Sequence, residues 1–360
     1  MSIFIFMVLS IACQKQDGKY VCTPCDQSCD ALFFSEPGVC PHCNMKLIKK
    51  SELKAKKELV VNAININEGS GEFLIDGGVG NKEKTIKVYY HKPKNYRPES
   101  RILIVVPGAG RNGDSYRNAW IEESEKYGVL ILSLMYPEKE YDFGAYHLCG
   151  IMHDLDIKNS IEYVENTNVA NMDESKFTFK INENQDEWIF NDFDRVFDLT
   201  VQKLKSAQTT YDIFGHSAGG QILHRMAIFQ KESKAKYIIA GNSGFYTLPS
   251  NDFILPFGVK NAPFHVEHLP SIFKKKLIVM IGELDNATEK GGTLLHSVSV
   301  DKQGLHRLER GTFFFKYSKT KAQEMGLDFN WELKIVPNTG HNHKKIGDAA
   351  ARYLYESAKR

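Results

Sequence analysis

From residue 84 onward, short apolar runs alternate with segments whose apolar residues recur every three to four positions. Residues 101–107 read RILIVVP, the near-continuous apolar pattern of a strand covered on both faces. Residues 85–91 (TIKVYYH), 129–135 (VLILSLM), 211–215 (YDIFG), 237–240 (YIIA), 277–282 (LIVMIG) and 332–336 (ELKIV) also read as strands. Helices are predicted over 115–127, 188–204, 219–230 and 346–358; in the second, Ile189, Phe193, Val196, Phe197 and Leu204 share one stripe. This strand-then-helix alternation predicts an α/β fold, a mostly parallel doubly wound sheet with helices on both faces. Two long connections interrupt it. Residues 137–187 hold a predicted helix at 157–165 and then a polar, Asn-rich stretch, and residues 286–330 hold a helical patch at 311–325. Connections this long in a compact domain serve as caps or binding loops.

The amino-terminal part has a different character. Residues 1–12 (MSIFIFMVLSIA) are apolar and end at Cys13. A membrane-spanning helix needs about 20 apolar residues, so this run matches the core of a secretory signal instead. The stretch LSIAC ending at Cys13 resembles a bacterial lipobox. That resemblance implies export to the bacterial cell envelope and lipidation of Cys13, with the lipid chain as the membrane contact.

Residues 20–48 carry two Cys-x-x-Cys pairs, Cys22/Cys25 and Cys40/Cys43, with 14 residues between them and Cys29 outside both. Each tight pair presents two sulfurs to one ion, and two pairs complete a tetrahedral thiolate shell, for which zinc is suited. Disulfides in an oxidising compartment and redox chemistry at Cys22/Cys25 are the competing uses. The spacing favours a structural zinc held by Cys22, Cys25, Cys40 and Cys43, with Cys29 as the extra thiol. The stretch PGVCPHCNMKL resembles the small heavy-metal-binding module of bacterial copper and heavy-metal export proteins, with Cys25 where a His is common. The Lys-rich residues 49–71 read as a linker to a body spanning 72–360. Hydrophobic residues make up 42% and the net charge is +2, which excludes a disordered or multi-spanning chain and any bulk attraction to nucleic acid.

The chemistry-bearing motif is Gly215-His216-Ser217-Ala218-Gly219, a Gly-x-Ser-x-Gly between a predicted strand and a predicted helix. Such an elbow strains the serine backbone and sets its hydroxyl at a helix N-terminus. A serine needs a base, and the base an orienting acid, in the chain order Ser, Asp or Glu, His. Asp285 follows LIVMIG and His341 follows ELKIV, both at carboxyl ends of predicted strands. Ser217, His341 and Asp285 are therefore the candidate nucleophile, base and acid, with His343 and Glu283 as rivals. The candidate oxyanion donors are the N–H groups of Ala218 and of Ala109, with Gly110 next to it.

These motifs identify residues 84–358 as resembling the α/β-hydrolase family. More narrowly, GHSAGGQILHR, GNSGFYTLP, GELDNAT, QGLHRLERG and VPNTGH look like bacterial secreted esterases akin to polyhydroxyalkanoate depolymerases and feruloyl esterases. The resemblance implies ester hydrolysis through an acyl-enzyme with no cofactor for catalysis, on a small-molecule or polymeric ester. In such proteins the stretch 221–225 continues the elbow helix, which makes His224 and Arg225 structural. Tyr146, Trp188 and Tyr246 fit either a substrate pocket or the core. A serine peptidase of the same fold and a non-catalytic metal-handling scaffold are the alternative functions.

Overall fold

A computed structural model describes residues 19–22, 29, 32–42, 45–52 and 59–356 of the 360. The chain divides into two compact units, Met1–Lys57 and Glu58–Arg360. Cys13, Cys25, Cys43 and the apolar leader lie outside the described residues. Among the described residues no helix is long and apolar enough to cross a membrane.

In the small unit, strands Tyr20–Cys22, Phe33–Phe34 and Leu47–Lys49 form an antiparallel sheet with Tyr20–Cys22 in the centre. The turn at Pro37-Gly38 opens a tight hairpin in which Cys40 N–H donates to the Met45 carbonyl and Leu47 N–H to that of Gly38. Cys22, Cys29, Cys40 and Leu47 form its buried core, while His42 lies on the surface.

The large unit is built on eight strands: β1 (Gly69–Asp76), β2 (Thr85–Lys92), β3 (Ile102–Val106), β4 (Leu130–Met135), β5 (Tyr211–His216), β6 (Ala235–Gly241), β7 (Leu277–Gly282) and β8 (Glu332–Val336). They lie in the order β8-β7-β6-β5-β3-β4-β2-β1. All pairings from β8 to β4 are parallel, and β2 alone runs antiparallel to its neighbours β4 and β1. The sheet is thus mixed at one edge and parallel elsewhere.

Strand periodicity explains the two helical layers. Ile102, Ile104, Ile213 and Val279 point to one face, Leu103, Val105, Phe214 and Ile278 to the other, and every one is buried. Because both sides are apolar, both must be covered, and each fully buried Ile or Leu contributes roughly 1.5–3 kcal/mol. Helices α1 (Gly113–Ala119), α2 (Ile121–Tyr127), α3 (Phe143–His147), α4 (Phe190–Leu204), α5 (Ala218–Phe229), α6 (Arg307–Glu324) and α7 (His343–Ala351) supply most of that cover. Phe193, Ile222 and Phe314 belong to the first face; Trp120, Ile346 and Ala350 belong to the second.

Several elements differ from their sequence-based expectation. Strand β1 starts in the last three residues of the segment read as linker and is not among the expected strands; it is an edge strand in which only Phe73 and Ile75 are buried, too weak a pattern to register. The helix expected over 115–127 is broken at Trp120, whose backbone departs from helical dihedrals (φ −102°, ψ 0°) and whose indole is buried. The helix expected at 157–165 is one turn, Ile157–Ser160, followed by strand Ile161–Tyr163. That strand pairs antiparallel with Val169–Met172, which pairs in parallel with Leu294–His296. The two long connections therefore fold onto each other as one three-stranded sheet.

Candidate active site

Parallel strands deliver their carboxyl ends to a single edge, and the candidate residues follow from there. Ser217 comes directly after β5 and is the residue before α5, with φ 58° and ψ −117°. This left-handed backbone is unfavourable for a residue with a Cβ and signals a tightly determined turn. The turn is held by the Ser217 N–H donating to the Gly241 carbonyl at 2.9 Å. It also needs Gly219, where a Cβ would come within 2.1 Å of the Val106 carbonyl oxygen. The serine side chain takes part in no cap hydrogen bond and is partly exposed.

Asp285 lies just beyond β7 and His341 just beyond β8. Their side chains meet: His341 Nδ1 is 2.8 Å from Asp285 Oδ2. With Nδ1 bonded to a carboxylate, the neutral imidazole carries its proton there and leaves Nε2 as a base. Burial pushes the His341 pKa below the usual histidine value; Asp285 opposes the shift and Arg307 adds to it. The Asp285 carboxyl is held below its ordinary value because hydrogen bonding to His341 and the charges of His341 and Arg307 outweigh its burial.

Four residues that sequence reasoning did not assign complete this cluster. Arg307, at the first turn of α6, donates from Nη1 to Asp285 Oδ1 at 2.9 Å and from Nη2 to the carbonyls of Gly292 and Thr293, also at 2.9 Å. Glu289 accepts from the His341 backbone N–H at 2.7 Å. Asn242 bridges two strand ends, accepting from Gly282 N–H at 2.8 Å and donating to the Gly340 carbonyl at 3.0 Å. His216 packs its ring on His341 with centroids 4.6 Å apart and shares a 3.1 Å hydrogen bond with the Tyr116 hydroxyl. Arg307 stands inside the QGLHRLERG stretch, but its partners are 14 to 22 residues away and no local pattern marks them.

The segment after Asp285 crosses the base. Gly292 has φ +62°, and a Cβ there would lie 2.7 Å from His341 Nε2, so a side chain would cover the basic nitrogen. Asn168 from the first long connection donates to the Gly292 carbonyl at 3.0 Å. Both long connections thus hold the backbone beside the imidazole.

The rivals are placed elsewhere. His343 stacks on Tyr116 with centroids 4.4 Å apart, and Glu283 accepts from the Asn338 backbone N–H at 2.9 Å. Ala218 opens α5, and Gly108 lies against the Ser217 side chain, where a Cβ would stand 3.4 Å from Ser217 Cβ. Ala109 next to it is exposed. The loop is anchored by buried Arg111, which donates to the carbonyls of Tyr136 and Asp142, and by the Tyr146 hydroxyl, which donates to the Pro107 carbonyl at 2.7 Å. Tyr146, Trp188 and Tyr246 all belong to the core. His224 and Arg225 are buried beneath the elbow, with His224 Nε2 accepting from Thr247 N–H and Arg225 Nε donating to the Thr247 hydroxyl.

Strand order, elbow and strand-end residues define the large unit as an α/β-hydrolase fold. No protein-family model and no curated protein matches the chain. Among solved structures it is similar to poly(aspartic acid) hydrolase-1 from Sphingomonas sp. KT-1, with 29% identity and a TM-score of 0.69 over 81% of this chain and 100% of that one. It is also similar to LpqC, a poly(3-hydroxybutyrate) depolymerase from Bordetella parapertussis, with 22% identity and a TM-score of 0.68 over 81% of this chain and 90% of that one. These likenesses support a hydrolase.

Proposed function

We propose that the protein is a serine hydrolase that cleaves carboxylic esters through an acyl-enzyme on Ser217. The observation that carries this reading is the 2.8 Å contact between His341 Nδ1 and the buried Asp285 carboxylate, at the sheet edge where strand β5 leads into a serine of elbow conformation. Ser217 Oγ attacks the carbonyl carbon while its proton passes to His341 Nε2. The same proton then goes to the leaving alcohol as the ester bond breaks. Water repeats the sequence, freeing the acid and restoring the serine. The N–H groups of Ala218 and Ala109 receive the oxyanion, each worth about 2.7–4 kcal/mol in the transition state. Asp285 orients the imidazole and stabilises its protonated form. As parts of the same proposal, the chain is exported and anchored through a lipid on Cys13.

The likeness to a poly(aspartic acid) hydrolase favours a second reading, amide cleavage by the same groups. A fluorophosphonate probe followed by peptide mapping tests the shared mechanism, and a covalent adduct on Ser217 is expected. An active, unmodified Ser217 after saturating exposure refutes it. Parallel assays on p-nitrophenyl esters and poly(aspartic acid) then separate ester from amide preference.

Arg307 is a positioning residue in this scheme. Its side chain and that of Asp285 are almost wholly buried, and losing one partner of such a pair typically costs about 3–5 kcal/mol. Arg307→Met is expected to destabilise by that order in thermal unfolding. It also removes a cation that disfavours the protonated imidazole, so the acid limb of kcat/KM should move to higher pH. Arg307→Lys should restore much of the limb position but not the carbonyl contacts at Gly292 and Thr293. An unshifted limb in a folded Arg307→Met enzyme contradicts the role.

A further inference from the structure

Cys29 stands outside both Cys-x-x-Cys pairs, yet its sulfur is buried with those of Cys22 and Cys40. The three Sγ atoms lie within 4.8 Å of one another. No disulfide joins the three to one another. The separation of Cys22 Sγ and Cys29 Sγ is 3.9 Å. A disulfide requires about 2.05 Å. Four sulfurs around one ion at about 2.3 Å stand ~3.8 Å apart along each edge of the tetrahedron. The Cys22–Cys29 spacing therefore matches a sulfur–sulfur edge of such a shell, and a donor set of three buried thiols suits a thiophilic divalent cation.

We propose that Cys29 is a metal-ligating thiolate, forming with Cys22 and Cys40 three of the four positions around one zinc-like ion. Each thiol releases its proton when it binds. One position then remains on a tetrahedral ion for a further donor. The two Cys-x-x-Cys pairs are on this account not the whole ligand set, because the segment between them contributes its own sulfur. A closed shell of this kind is structural and offers no open position to substrate.

The test uses the reduced full chain, kept free of oxygen and titrated with zinc and with cobalt as a spectroscopic probe. One equivalent of metal is expected, with thiolate-to-cobalt charge-transfer absorption. Cys29→Ser should lose part of that absorption and weaken zinc binding about a hundredfold or more. As a check independent of variant folding, Cys29 in the wild-type chain should be alkylated only after a chelator strips the zinc. Three results overturn the proposal. They are no metal uptake by the wild-type chain, an unchanged cobalt spectrum and zinc affinity in Cys29→Ser, or alkylation of Cys29 that is indifferent to zinc.

Discussion

Ser217→Ala is expected to lower kcat by about ten thousand- to a million-fold, equivalent to ~5–8 kcal/mol of transition-state stabilisation. It should also abolish labelling by fluorophosphonate. The size follows from the chemistry: without Oγ no acyl-enzyme forms, and water would have to attack in a site arranged around a different nucleophile. The fold should hardly notice. The side chain makes no helix-capping hydrogen bond and is partly exposed, so removing one oxygen falls among substitutions worth about 0.5 kcal/mol or less. The elbow dihedrals are imposed by the Gly241 carbonyl and the close approach of Gly219 to Val106, neither of which involves the hydroxyl. An unchanged melting temperature with activity lost therefore assigns Ser217 to chemistry. Substantial residual turnover on the ester series would mean that the hydrolysis has another nucleophile.

Why some of this was legible and some was not comes down to the range of the interactions. Strands such as Ile102–Val106 and Leu277–Gly282 are buried at every position, and a continuous apolar run between turn residues announces them. The elbow is equally local, since glycines at 215 and 219 must stand at fixed offsets from the serine. Asp285 and His341 are visible because strand ends can be located and the chain order is constrained. The layer between the long connections is different. Val169 faces Leu294 and Ala170 faces Leu295 across more than a hundred residues, and residues 161–163 have no periodicity that separates strand from helix. Arg307, Glu289 and Asn242 are hidden for the same reason. Each is an ordinary polar residue locally and acquires its role only when β7, β8 and α6 are packed together. Cys29 shows a further limit, because pair spacing identifies the sulfurs that share a turn and not one brought in from an intervening segment.

Acid should unfold this protein unusually early. His216 and His224 are buried at 3% and 0% exposure, and burial holds both pKa values well below the ordinary 6.5. Burial likewise takes His147 down to about 3 and His343 down to about 4. His224 has a chemical reason to stay neutral: its Nε2 accepts a 2.9 Å bond from the Thr247 backbone N–H while Nδ1 faces the Gly220 carbonyl. Protonating Nε2 would destroy that contact. His216 is surrounded by the cationic forms of His341 and His343 and by Arg307, all of which repel a proton, while Tyr116 and Asn242 supply neutral partners. Between the folded and unfolded pKa values the unfolded chain binds more protons, so stability is full above about pH 6.5 and falls as the pH drops below it. At pH 4.5 the unfolded chain holds these protons and the buried rings do not, so each such histidine subtracts from a total that is typically about 5–15 kcal/mol. Asp192 works in the opposite sense: burial raises its carboxyl to about 7 despite Arg195 and Tyr136, so it favours the folded state as the pH falls through that value. Burial raises the Asp212 and Glu123 carboxyls as well, but the histidines outnumber these carboxyls and begin to cost stability from about pH 6.5 downward. The melting temperature should therefore fall steeply between pH 6.5 and 4.5, and His224→Gln, which keeps an acceptor for Thr247 without a titrating ring, should flatten the curve. A melting temperature that is level from pH 7 to 5 would mean that the buried imidazoles accept protons without opening the elbow helix.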